Sequence, residues 1–219
     1  MRLTAVRGVL GRPGYKNLKH YIIKMKIICL LDRSGSMQSC ISDTIGGYNS
    51  FLETSDPNDT ISLYLFDHEF TSVYENVKVS EAPKLTVVSY RPRGTTALVD
   101  SLYKLLTSDD DEKTTVVIIT DGDENASTKW TYSQVSSKIE EKKKLGWQFV
   151  FLGANQDAIE SASRLNINEG SSLTFHTQNF DTAFRSVSQG IRRSQMQGGD
   201  LEFTQVERMR SLVTERKTP

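Results

Sequence analysis

The stretch Ile27-Ile28-Cys29-Leu30-Leu31-Asp32-Arg33-Ser34-Gly35-Ser36-Met37 decides the fold. Five consecutive apolar residues read as a strand covered on both faces, which is the signature of a central strand in a parallel sheet. A carboxylate and two hydroxyls follow at once on a Gly-containing turn. Ile41, Ile45, Tyr48, Phe51 and Leu52 then recur at helical spacing, completing a strand-then-helix unit.

Working outward, apolar runs and amphipathic runs alternate to about residue 197. Residues 61–66 give a second strand, and residues 71–79 a third in hairpin contact with it. Leu98, Leu102, Leu105 and Leu106 mark a helix, and Val116-Val117-Ile118-Ile119 is another doubly buried strand. Val135, Ile139 and Leu145 line a further helix, residues 148–152 a strand, and residues 158–165 a short helix. Residues 172–176 form a last strand, and Phe180, Phe184, Val187 and Ile191 a closing helix. This alternation predicts an α/β, doubly wound, Rossmann-like fold. Its sheet is mainly parallel with one antiparallel edge strand, and helices cover both faces.

The chain of 219 residues divides into a basic extension over 1–24, a domain over 25–197 and a polar, mobile tail over 198–219. Lys and Arg total 27, as do Asp and Glu, so an overall basic nucleic-acid binder is excluded and no nucleic-acid partner is expected. The first 31 residues carry seven of the basic side chains and no acid, which leaves the body acidic. Arg12, Pro13, Gly14, Lys16 and Lys19 break up any secretory core, and no run reaches the roughly 18 apolar residues of a membrane span. Two cysteines, one inside the first strand, do not make a disulfide framework. A cytoplasmic location is expected, with organelle targeting through the basic extension as the alternative. The acidic run 109–112 reads as a solvated loop.

Three loops present oxygen ligands beyond strand ends or before a helix. They are Asp32 to Ser36, Gly94-Thr95-Thr96-Ala97-Leu98, and Asp121-Gly122-Asp123 after the strand that ends in Thr120. In an open α/β sheet the crevice lies beyond the carboxyl ends of the strands, where the strand order reverses. Carboxylates and hydroxyls without His or Cys make a hard donor set suited to Mg²⁺ or Mn²⁺ rather than zinc. Singly, each residue has a blander role. Ser34 and Ser36 suit turns, Asp32 and Asp121 suit helix caps, and Thr96 suits a cap for the Leu98 helix.

Asp-x-Ser-x-Ser, then Gly-x-Thr, then Thr-Asp-Gly after a buried strand resembles the metal-ion-dependent adhesion site of von Willebrand factor A domains. The resemblance covers about residues 26–197. It implies Asp32, Ser34, Ser36, Thr96 and Asp121 as metal ligands, the serines binding directly and one or both aspartates through water. Thr96 rather than Thr95 takes the family's Thr place. The resemblance further implies a Mg-dependent protein-binding module, without catalysis, whose metal accepts a Glu or Asp from a protein partner. A metal-dependent phosphohydrolase and a scaffold with a structural metal are the alternatives. Against the first, position 34 is Ser rather than a second acid, and no phosphate-binding Gly-x-x-x-x-Gly-Lys loop exists. His68 and His176 read as packing residues, Asp123 and Glu124 as surface acids, and Arg91 and Arg93 as a solvated loop able to guide an acidic partner.

Overall fold

A computed structural model describes residues 24–107, 112–154 and 158–213. The expectations for residues 1–23, for the acids at 109–111 and for residues 214–219 therefore lie outside the described residues.

Among the described residues six strands form one sheet. In chain order they are β1 (Lys26–Asp32), β2 (Thr60–Phe66), β3 (Phe70–Lys78), β4 (Thr114–Thr120), β5 (Gln148–Ala154) and β6 (Ser172–Phe175). Across the sheet they run β3-β2-β1-β4-β5-β6, parallel except for β3. The helices are α1 (Ile41–Thr54), α2 (Leu98–Leu106), α3 (Tyr132–Lys144), α4 (Ala158–Arg164), α5 (Phe180–Gln197) and α6 (Gln205–Leu212). The expected α/β, doubly wound architecture with one antiparallel edge strand is what the chain forms.

Every residue of β1 and β4 is buried, because their side chains alternate between two apolar layers. Ile27, Cys29 and Leu31 face α1 and α5, where Tyr48, Phe51, Phe180 and Phe184 pack ring against ring. Ile28 and Leu30 face the opposite layer, built from Leu98, Leu102, Val135, Ile139 and Ala162 of α2, α3 and α4. Removing one such ring, as in Phe184→Ala, costs about 3–5 kcal/mol. The edge strand β3 is largely exposed. Its register with β2 shifts around Ser62, where Asn76 at φ 52° donates its amide to the Ser62 hydroxyl at 2.9 Å. Such a bulge twists an edge away from further strand pairing.

Two expectations are corrected. Leu145 does not line α3; it is 45% exposed, while Lys142 is buried with its ammonium 4.7 Å from the centre of the Trp147 ring. A long amphipathic stem topped by a cation covers apolar surface that a leucine would otherwise cover. The polar tail expected from residue 198 is packed over residues 201–212. Leu201 and Phe203 are buried in the α1/α5 layer, and Thr204 with Glu207 forms a reciprocal capping box that starts α6. Glu207 also takes both guanidinium nitrogens of Arg193 from α5, at 2.7 and 2.8 Å.

The strand order reverses between β2 and β4, on either side of β1. The carboxyl ends of β1 and β4 are neighbours there, with Leu31 opposite Ile119. Asp32 and Asp121 leave the sheet side by side as a result.

Candidate metal centre

Asp32 is the last residue of β1 and is fully buried. One of its carboxylate oxygens accepts the Ser34 amide at 2.6 Å, closing a tight Asx turn, and the other accepts the Thr120 hydroxyl of β4 at 2.6 Å. That turn lifts Ser34 and Ser36 over the strand end. Their hydroxyls stand 3.0 Å apart, and Ser36 Oγ donates to Asp121 Oδ1 at 2.5 Å. A Cβ built on Gly122 would stand 3.2 Å from Ser36 Oγ and 3.6 Å from Thr96 Oγ1, so the Thr96 hydroxyl borders the same small volume. Thr96 is buried and Thr95 exposed. All five residues named from the sequence are thus brought to one place. Burial grades from Asp32, Ser34 and Thr96 inside to Ser36 at the open rim.

The loops are fixed by backbone contacts. The Gly35 amide donates to the Gly94 carbonyl at 3.1 Å, and a Cβ on Gly35 would come within 3.1 Å of that same oxygen. Gly94 itself holds φ +65°, with His68 packed where its Cβ would be. Asn125 accepts the Thr96 amide at 2.9 Å, and the Asn125 and Ala126 amides return to the Thr96 carbonyl. Buried Tyr90 donates its hydroxyl to the Asp32 carbonyl at 2.7 Å.

Ser34 and Ser36 do lie on a tight turn, but Thr96 and Asp121 do not serve as the helix caps. The residue at the α2 N-cap is Ala97, with no side-chain cap bond. Glu124 instead accepts the Val99 amide at 2.8 Å and two amides of its own loop. Glu124 is therefore a structural acid rather than a free surface one, whereas Asp123 is exposed. Helix α3 is capped by Thr131, not by Asp121. Thr120, Tyr90 and Asn125 are the positioning residues that sequence reasoning missed. Only Thr120 had a signal, as the residue joining a buried strand to Asp121.

The electrostatics fit a cation. Burial pushes the Asp32 carboxyl up to about 6, with its hydrogen bonds opposing and the Asp121 charge adding to the rise. Asp121 is raised too, again by burial first. Among the described residues no basic side chain is named among the causes of either shift, and the Asp121 charge adds to the rise at Asp32. Among the described residues the Thr96 hydroxyl makes no hydrogen bond. An all-oxygen set with excess negative charge and a spare hydroxyl suits Mg²⁺ or Mn²⁺.

A second acidic group lies on the rim. Ligand atoms of Asp67, His68 and Glu69 fall within 4.8 Å of one another. Buried Asp67 already takes Arg33 Nε at 3.0 Å, Arg93 Nε at 2.9 Å and the Glu69 amide at 2.7 Å. Arg93 also pairs with Glu69. Guanidinium groups supply the positive charge there, so this cluster is an ion-pair network. Of the two arginines expected to guide a partner, Arg93 is committed to it, and Arg91 is exposed.

No family model and no curated protein matches the chain by sequence. Solved structures do match by shape. A von Willebrand factor type A protein from Catenulispora acidiphila superposes with TM-score 0.56 at 13% identity, over 76% of this chain and 42% of that one. The chain has the von Willebrand factor A fold. The ArnB paralog VWA2 from Sulfolobus acidocaldarius shares the A fold at TM-score 0.54 and 18% identity, over 76% and 44% of the two chains. The domain of the type V pili tip protein Mfa5 from Porphyromonas gingivalis gives 0.61 at 12%, over 80% and 97%. This chain spans less than half the length of the Catenulispora and Sulfolobus proteins.

Proposed function

We propose that this A fold is a Mg²⁺- or Mn²⁺-dependent protein-binding module. Asp32, Ser34, Ser36, Thr96 and Asp121 would hold the ion, and a Glu or Asp of a protein partner would complete its shell. The observation that carries this reading is the convergence of five oxygen-bearing side chains from three loops, with two carboxylates and, among the described residues, no basic partner hydrogen-bonded to them. A divalent ion held by two carboxylates and neutral hydroxyls keeps net positive character, so an incoming carboxylate is attracted and exchanges against water. Ser36 and half-buried Asp121 leave the site open on the side a partner would approach.

Binding is favoured over catalysis by the hydroxyl partners. Ser34 and Ser36 bond to each other and Ser36 also to Asp121, and among the described residues no histidine or lysine hydrogen-bonds either serine as a base. A cytoplasmic setting belongs to the same proposal. Both cysteines are free and buried, and burial raises both thiols, which makes them inert. Among the described residues no helix is long and apolar enough to cross a membrane.

The test is selection from a displayed peptide library in Mg²⁺ and in EDTA. Enrichment of Asp- or Glu-bearing sequences in Mg²⁺, abolished by EDTA and by Asp32→Ala, is the expected result. Equal enrichment with and without the metal overturns the proposal.

A further inference from the structure

Two arginines flank the oxygen ligands in sequence. Arg33 lies between Asp32 and Ser34, and Arg93 lies three residues before Thr96. Each carries a fixed positive charge, since a guanidinium does not deprotonate in a protein. Such a charge beside a cation site repels the ion and competes with it for the carboxylates. The turn between β2 and β3 takes up both guanidinium groups. Asp67 follows β2, and its side chain is fully buried. Its Oδ2 accepts Arg33 Nε at 3.0 Å and Arg93 Nε at 2.9 Å, and Arg33 Nη2 stands 3.0 Å from the same oxygen. Its Oδ1 accepts the Glu69 amide at 2.7 Å. Arg93 also pairs with the exposed Glu69 carboxylate.

The acid next to Arg33 along the chain is Asp32, yet its guanidinium goes to an acid 34 positions away. Among the described residues no hydrogen bond or ion pair joins Arg33 or Arg93 to Asp32 or Asp121. The backbone of these loops is held separately. The Arg33 amide donates to the Phe66 carbonyl at 2.6 Å, the Arg93 amide to the Arg33 carbonyl at 2.8 Å, and the Ala97 amide to the Asp67 carbonyl at 2.9 Å. Placing the loops therefore does not require the side-chain charges. A buried ion pair is also weak evidence for stability, because desolvation offsets much of its attraction. What the pairs do is fix where two positive charges point.

We infer that Asp67 is a positioning residue of the metal centre, which draws the Arg33 and Arg93 guanidinium groups off the ligand carboxylates and cancels their charge, so that a divalent cation meets a net negative site. Asp67 acts through the two arginines and is not itself a ligand; Glu69 supports it at Arg93. The inference rests on the cation-site reading and adds to it what keeps the site's own arginines from occupying it.

The test is Mn²⁺ binding to the full chain, read from the electron paramagnetic resonance signal of the free ion. Asp67→Asn keeps the shape of the side chain and removes its charge, and should weaken Mn²⁺ about tenfold, the effect of one unit of positive charge released near the site. Adding Arg33→Gln to that variant should restore the affinity to within about twofold of the unsubstituted chain. Arg33→Gln alone should bind at least as tightly as the unsubstituted chain. A merely structural brace would give the opposite pattern, with Arg33→Gln weakened and the double variant no better than Asp67→Asn. That pattern overturns the inference, as does an Asp67→Asn chain that binds Mn²⁺ unchanged; both leave the cation site standing. Should Asp67→Asn fail to fold, the exposed pair decides: Glu69→Gln should weaken Mn²⁺ about threefold and Arg93→Gln should reverse it, and no change in either overturns the inference. An unsubstituted chain that binds no Mn²⁺ is a separate result, which removes the cation site and this inference with it.

Discussion

Ser36 and Asp121 stand 85 positions apart in sequence, yet the Ser36 hydroxyl donates to the Asp121 carboxylate at 2.5 Å. The contact joins the loop after β1 to the loop after β4. It depends on those two strands being neighbours at the point where strand order reverses. A bound cation would stand among these same oxygens, so the hydroxyl would turn its lone pairs from Asp121 toward the ion.

Thr120 sits beneath that contact and holds Asp32 in place through its hydroxyl. Thr120→Val keeps the shape of the side chain and removes the donor to a buried carboxylate. The expected outcome is a loss of about 1–3 kcal/mol in stability without metal. Metal affinity should weaken as well, because the freed carboxylate loses its fixed orientation. Urea unfolding and isothermal titration with Mn²⁺ read the two effects separately.

Stability without metal should depend on pH through two buried acids. Asp32 and Asp59 are both raised by burial, from an ordinary 3.8 to about 6. A raised folded-state value means that the folded chain binds protons more tightly than the unfolded one. Their contribution is therefore fully present below about 3.8 and lost as pH rises through about 6. The Mg²⁺ effect has the opposite slope, since the ion needs Asp32 ionised: stabilisation by metal should grow over the same window. Melting curves from pH 4 to 7 in EDTA and in Mg²⁺ test both slopes at once, and Asp59→Asn should flatten only part of the first.

Gly94 should not tolerate a side chain. Its φ of +65° is left-handed, and a Cβ would stand 2.2 Å from His68 Nδ1. Gly94→Ala is expected to destabilise by about 1–2 kcal/mol from backbone strain, with a steric addition. His68→Ala in the same chain should recover the steric part and leave the strain, a split that a double-mutant cycle measures.

Helix α6 is held by Glu207. Burial pushes this carboxyl up, but Arg193 and the Thr204 cap outweigh it, so its pKa lies below the ordinary value of 4.5. The contribution is present above that value and lost as pH falls through the lowered one. Glu207→Ala removes the capping box and strands Arg193, for an expected loss of about 1–3 kcal/mol. Protease cleavage near residues 205–212 should accelerate in the variant.

The sheet and most helices were legible because their apolar residues repeat at periods that differ between strand and helix. The convergence of the three oxygen-bearing loops was legible because their short motifs stood in the right order. The docking of residues 201–212 was not, since only Leu201 and Phe203 supply apolar burial there. Polar contacts do the rest. Arg208 reaches the carbonyls of Glu169, Gly170 and Ser172, and Asn179 those of Ser211 and Val213. A hydrophobic periodicity carries no trace of such bonds, although Thr204 and Glu207 did spell a capping box. Glu124 was misread as a surface acid for a related reason: its partners are backbone amides, which every residue has.

The central claim is that Asp32, Ser34, Ser36, Thr96 and Asp121 form a cation site. Thermal unfolding of the purified chain in EDTA, Mg²⁺ and Mn²⁺, beside Asp32→Ala and Asp121→Ala, tests it most directly. A native-state ligand at about 100 times its dissociation constant adds about 2.7 kcal/mol. For a domain of this size that raises the midpoint by about 5–10 °C. The account predicts such a rise for the unsubstituted chain and none for either variant. A midpoint indifferent to both ions, with no heat of binding in titration calorimetry, would contradict it and leave the three loops as turns alone.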